Sequence, residues 1–130
     1  MNSELPSRRG VAKSLVHFEY SGDMLLARLS GEIDLKVADA LRRELEGALD
    51  RYPASFLVFD LSAVSFLDST GLGVILGRYK RVAEAGGKVA FVGPLPQVKR
   101  VLELAGVLRF CPLFSSWEEA RVSLRGEACG

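Results

Sequence analysis

Apolar positions along the chain switch several times between two spacings, and the switches outline a fold. Ser14 to Tyr20 and Met24 to Ser30 are short apolar-rich runs flanking Ser21-Gly22-Asp23, which predicts two strands joined as a hairpin. Gly31-Glu32-Ile33-Asp34 breaks that pattern. Beyond it the period becomes helical. Ala38, Leu41, Leu45, Ala48 and Leu49 recur with Asp39, Arg42, Arg43, Glu46 and Asp50 between them, predicting an amphipathic helix laid on a sheet and stopped by Pro53. Phe56-Leu57-Val58-Phe59 follows as a nearly unbroken apolar run, the pattern of a strand buried on both faces.

A second helical pattern takes Leu72, Ile75, Leu76, Tyr79, Val82 and Ala83 and closes at Gly86-Gly87, where glycine accepts the left-handed cap. Lys88 to Val92 reads as a strand ended by Gly93-Pro94. A third helix runs through Val98, Val101, Leu102 and Ala105 to Gly106, and Leu108 to Cys111 reads as a last edge strand. Ser116 stands three residues before Glu119, a capping-box spacing that opens a C-terminal helix. Strand–helix–strand units favour parallel neighbours, so the order predicts an α/β layer: a small mixed sheet of about four or five strands with about four α-helices. Residues 1–13 read as a flexible leader, 14–126 as the domain and 127–130 as a flexible tail.

Composition narrows the function classes. The chain has 130 residues, 17 Lys+Arg against 16 Asp+Glu, and a net charge of +1; that length suits one domain, and that balance lacks the basic footprint of a nucleic-acid binder. No apolar run approaches the roughly 20 residues of a membrane span, and the polar start from Met1 to Gly10 is unlike a signal peptide. Cys111 and Cys129 lie far apart, and with His17 as the single histidine they do not supply a typical structural zinc site. A reduced, cytoplasmic setting is expected.

The chemistry-bearing stretch is Val64-Ser65-Phe66-Leu67-Asp68-Ser69-Thr70-Gly71-Leu72-Gly73. It lies between a buried strand and a helix, so Asp68, Ser69 and Thr70 fall at the turn and first helical turn, where side-chain oxygens accept bonds from orphan backbone N–H groups. Capping is the plainest role for Asp68. Two adjacent hydroxyls at a helix start also sit where the macrodipole favours an added anion. Gly73 and Gly77 continue the same helical face and leave a lane nearly free of side chains. Each glycine costs about 1 kcal/mol in a helix interior relative to alanine, so each needs a compensation. Close packing on the protein's own sheet and close approach by another protein both supply one, and periodicity leaves the two open.

Enzymatic readings fit less well. Ser69 at a strand-to-helix turn resembles a nucleophile elbow, but Leu67 stands where G-x-S-x-G needs its first glycine. The one histidine, His17, falls on an early strand. There is no G-x-x-x-x-G-K-[ST] loop, Gly71-Leu72-Gly73 lacks the third glycine of the dinucleotide spacing, and no cofactor is expected. The motif also differs from the D-[ST]-G of aspartic proteases.

Leu67-Asp68-Ser69-Thr70-Gly71-Leu72-Gly73-Val74-Ile75-Leu76-Gly77-Arg78-Tyr79-Lys80 resembles the signature of bacterial anti-sigma factor antagonists, which are single STAS domains. Gly31-Glu32-Ile33-Asp34, Gly86-Gly87 and Val98-Lys99-Arg100 match at the expected order and spacing, so the resemblance spans about residues 15–125. Within the family the likeness is to antagonists acting in endospore formation. The resemblance implies a module that, unphosphorylated, binds an anti-sigma factor that is also a serine kinase, and so frees a sigma factor. It implies phosphorylation on the serine after the signature aspartate, Ser69, and its reversal by a metal-dependent serine phosphatase. The antagonist would be substrate and ligand, not an enzyme. Thr70 departs from the second serine of many members, and its β-branched hydroxyl is stiffer. The partner surface implied is Asp34, Asp68, Ser69, Thr70, Gly71, Gly73 and Gly77, with no direct contact to nucleic acid or membrane. Arg78, Lys80 and Arg81 read as a solvated helix face.

Overall fold

The computed structural model describes residues 15–129, with side chains through residue 126; the expected leader, residues 1–13, lies outside them. Strands β1 (Val16–Ser21) and β2 (Met24–Ile33) form the expected hairpin around Gly22, whose φ is 62°. Three crossovers follow: α1 (Leu35–Arg51) leads to β3 (Phe56–Leu67), α2 (Ser69–Glu84) to β4 (Lys88–Val92), and α3 (Pro96–Leu104) to the short β5 (Leu113–Phe114). The sheet order is β1-β2-β3-β4-β5, with β1 antiparallel and the rest parallel. Every crossover therefore steps one strand in the same direction, and right-handed connections put all three helices on one face.

Alternation along the strands separates two cores. Leu25, Ala27, Leu29, Leu57 and Phe59 pack under α1, α2 and α3 with Leu41, Leu45, Ile75, Val98 and Leu102. Met24, Leu26, Phe56, Val58, Ala90 and Val92 point the other way, to Ala120 and Leu124 of α4 (Trp117–Cys129). Both sides of the Phe56–Phe59 run are buried, as its composition predicts. Phe59 and Phe91, opposite each other on neighbouring strands, stack at 6.0 Å between ring centres.

Two expectations are corrected. The Gly31–Ile33 stretch does not end β2, and β3 does not end near Phe59; both strands stay paired to Ile33 and Leu67 through two register shifts. The bulges destroy the two-residue burial period while the backbone pairing continues. Leu108–Cys111 is not a strand. Val107–Arg109 is a 3₁₀ turn entered through Gly106 at φ 77°, and Val107 and Cys111, the buried pair of this segment, are spaced by four rather than two. The edge strand lies just after Pro112 and pairs parallel to β4. The α4 backbone is helical from Trp117 to Cys129. Its start conforms: Ser116 Oγ accepts from the Glu119 N–H at 3.1 Å, and the Glu119 carboxylate accepts from the Ser115 N–H at 2.7 Å.

Candidate functional site

The parallel strands deliver their following helices to one edge of the sheet, so the N-termini of α1 and α2 lie side by side. Asp34 is the N-cap of α1, its Oδ1 accepting from the Lys36 N–H at 3.0 Å. Asp68 is the N-cap of α2, its Oδ1 accepting from the Gly71 N–H at 2.8 Å. The other Asp68 oxygen, Oδ2, accepts from the N–H of Leu35, the first residue of α1, at 3.2 Å. One carboxylate thus ties two helix starts together and supplies negative charge where two macrodipoles end. The Asp68 N–H also donates to the Ile33 carbonyl at 3.2 Å, which fixes the turn against the end of β2.

Gly71 explains how the start of α2 seats so closely on the ends of β2 and β3. A Cβ built there would stand 2.4 Å from the Ile33 carbonyl oxygen, 2.8 Å from Ile33 Cγ2 and 3.0 Å from Leu67 Cδ1. Gly71 is buried, so it belongs to the packing beneath the site rather than to the expected partner surface. Gly73 and Gly77 differ: no heavy atom lies within 4 Å of a Cβ at either. Packing on the protein's own sheet, one of the two compensations open in the sequence, does not account for the lane.

Ser69 and Thr70, the first two residues of α2, are exposed. Thr70 faces a groove between α1 and α2 whose walls include Leu35, Arg42, Gly73 and Arg78. Leu35 is 72% exposed, Phe66 49% and Leu95 37%. These three stand at the C-terminal ends of β2, β3 and β4, so large apolar side chains border the same edge as Ser69. The sequence reading passed over them. The signal was present for Leu35 and Leu95, each an apolar residue at the polar start of a predicted helix.

Arg78 and Arg81 do not form a solvated face. Arg78 Nε lies 2.7 Å from Glu46 Oε2, and the side chain is only 12% exposed. Arg81 donates to Glu46 Oε1 at 2.7 Å and to Asp50 Oδ1 at 2.8 Å. Burial draws the Arg78 pKa below its ordinary value, against the pull of Glu46, while Asp50 leads the groups that raise that of Arg81. Lys80 is exposed, as expected. Glu46 and Asp50 are spaced i,i+4 on α1 and Arg78 and Arg81 i,i+3 on α2, which reads as surface in either helix alone; it becomes an interhelical seam only when the two are packed side by side.

His17 sits on exposed β1 with Nε2 3.9 Å from Glu19 Oε2, so its charged neighbour belongs to the hairpin rather than to the Ser69 turn. Among the described residues no group of three or more His, Cys, Asp or Glu is placed to hold a metal ion. None of the described helices is long and apolar enough to cross a membrane.

A five-stranded mixed sheet with three helices on one face, and two helix starts joined at the end of its central strands, is the frame of a STAS domain. The STAS domain family model matches residues 16–120. An anti-sigma F factor antagonist of Paenibacillus polymyxa is 35% identical over 84% of this chain and 93% of its own. A putative anti-sigma factor antagonist of Thermotoga maritima superposes with a TM-score of 0.78 at 26% identity, covering 85% of this chain and 94% of that one. The anti-sigma factor antagonist SpoIIAA in its unphosphorylated form gives 0.75 at 25% identity, covering 85% and 96%. The chain belongs to the anti-sigma factor antagonist family of STAS domains.

Proposed function

We propose that this protein binds, through the edge that carries Ser69, an anti-sigma factor that is also a serine kinase, and that phosphorylation of Ser69 ends the binding. Release of the anti-sigma factor's hold frees a sigma factor for transcription, in a circuit of the endospore-forming type. A metal-dependent serine phosphatase restores the binding form. The protein works in the cytoplasm as ligand and substrate rather than as an enzyme, and touches neither nucleic acid nor membrane directly.

The observation that carries this reading is the placement of Ser69. Ser69 is exposed at the first position of α2, Asp68 beside it is committed to two internal hydrogen bonds, and Leu35 and Phe66 leave apolar surface exposed at the ends of β2 and β3. Apolar anchors around a small hydroxyl suit a close, desolvated contact. A phosphate would bring about −1.5 to −2 charge and three acceptor oxygens into that contact. An unpaired buried charge costs several kcal/mol, and each 1.4 kcal/mol is tenfold in affinity. Thr70 points into the α1–α2 groove and serves as a contact, with Ser69 the phosphoacceptor.

Incubation with the cognate anti-sigma kinase and ATP, followed by mass spectrometry, is expected to place one phosphate on Ser69. Ser69→Ala should keep binding and Ser69→Asp should lose it. Phosphate that persists undiminished in Ser69→Ala, or the reverse order of binding, would sink the assignment.

A further inference from the structure

We propose that the segment preceding β1 folds over the Ser69 edge once Ser69 is phosphorylated, with Arg8 and Arg9 pairing to the phosphate. The inference rests on the phosphoswitch reading above and names what holds the modified edge. The STAS match begins at Val16, so Arg8 and Arg9 stand outside it.

Topology sets where that segment joins the domain. β1 is antiparallel to β2, so the beginning of β1 lies beside the end of β2, at the edge that carries both helix starts. The Ser30 N–H donates to the Leu15 carbonyl at 3.0 Å, and three residues beyond Ser30 the Ile33 carbonyl accepts from the Asp68 N–H. A strand spacing of about 4.8 Å and a rise of about 3.3 Å per residue put Leu15 about 15 Å from the start of α2. Six residues of extended chain span about 20 Å. Arg9 precedes Leu15 by six residues and Arg8 by seven, so both guanidinium groups come within range of Ser69.

Charge selects the occupant. Residues 1–14 carry Arg8, Arg9 and Lys13 against Glu4. The edge has the opposite sign. Asp34 and Asp68 cap the two helices there, and the oxygens of Asp68 already hold the N–H groups of Gly71 and Leu35. Within two residues of either cap stand one exposed cation, Lys36, and one exposed acid, Glu32, which offset each other. In the neighbouring groove Arg42 pairs with Asp39 and Arg78 with Glu46. A phosphate on Ser69 brings about −1.5 to −2 charge to a place where these residues hold no surplus of cations. Two adjacent arginines on a tether meet that need. Guanidinium groups bind phosphate bidentately, and a phosphate facing an arginine cluster orders the segment that carries it. Leu5 and Val11 flank the pair and bring apolar side chains to the exposed Leu35 and Phe66.

The test takes the full chain, phosphorylated by its anti-sigma kinase with ATP, and compares it with the unmodified form by amide hydrogen exchange and by phosphorus NMR titration. Phosphorylation is expected to slow exchange across residues 7–10 about threefold or more in the wild type, and to leave it unchanged in Arg8→Gln/Arg9→Gln. Pairing with a cation favours the phosphate dianion. Its second pKa should therefore lie lower in the wild type than in the double glutamine variant, with Arg8→Lys/Arg9→Lys between them, and the gap should close at high salt. Lys36→Gln should keep the slowed exchange. Equal pKa values in the wild type and the double glutamine variant, or exchange at residues 7–10 that ignores the phosphate, would overturn the pairing. So would a slowing that Lys36→Gln abolishes and the double glutamine variant retains. In those cases a Ser69 phosphate that still excludes the kinase leaves the phosphoswitch standing. A chain that takes no phosphate on Ser69 removes both.

Discussion

Two glycines two residues apart in α2 should respond oppositely to the same methyl group. At Gly73 the new Cβ meets nothing within 4 Å, so Gly73→Ala gains helix propensity alone, about 1 kcal/mol. At Gly71 the same propensity gain is opposed by a Cβ 2.4 Å from the Ile33 carbonyl oxygen and 2.8 Å from Ile33 Cγ2. The first of these is backbone at the end of β2, which cannot rotate aside. Overpacking of this kind costs about 1–3 kcal/mol, and the backbone contact argues for the upper end. The net for Gly71→Ala is a loss of about 2 kcal/mol. For a domain of this size 1 kcal/mol moves Tm by about 4 °C. Gly71→Ala should therefore melt about 8 °C below wild type and Gly73→Ala about 4 °C above it. Urea unfolding followed by circular dichroism checks the same ordering in free energy at 25 °C, with unchanged m-values. A Gly71→Ala protein as stable as wild type would mean that α2 does not close on the ends of β2 and β3 as described. The explanation of both glycines would go with it.

Asp68→Ala should cost about 2 kcal/mol and Asp34→Ala about 1, because Asp68 accepts from the starts of both helices and Asp34 from its own alone. Denaturant midpoints that reverse this order would refute the bridging role. Burial pushes the Cys111 thiol up to about 11. A folded pKa above the unfolded value means that the folded state holds its proton longer, so this contribution is intact below about pH 8.5 and is lost as pH rises toward 11. In a Cys129→Ser background, stability is expected to fall over that window, and to fall less in Cys111→Ala. Native-state alkylation of Cys111 should stay slow at pH 8.

Helix α1 and the core of β3 were legible in sequence because each is a long segment with one dominant period. Asp68 was legible as a cap because capping is local, decided within three residues. What was hidden depends on pairing between distant segments. The bulges of β2 against β3 erased the burial period, so Gly31–Ile33 read as a break although the strand continues. Arg78 and Arg81 read as solvent-facing because their partners, Glu46 and Asp50, lie more than thirty residues earlier. Spacing puts Gly71 and Gly73 on different faces of α2 but does not say which face is packed; the Ile33 carbonyl does. The exposed apolar residues at the strand ends were visible, but that they lie on the edge that carries Ser69 follows only from the parallel topology that turns three strand ends the same way.

The electrostatics of that edge bear on how a switch works there without refolding. A free helix N-terminus carries about half a positive charge and welcomes an anion, which on sequence alone suggests that α2 would soften a phosphate on Ser69. Here two helix starts meet, and two carboxylates already cap them, with Asp68 accepting from both. Two half-charges against two full negative charges leave the edge about one unit negative before any modification. A phosphate would deepen this to roughly three units negative. The helix ends therefore cannot neutralise it, and the added charge is felt by whatever docks on the edge. The same caps hold the helix starts rigidly, through hydrogen bonds that Ser69 does not join. Charge can change at this surface while the fold beneath it stays as it is.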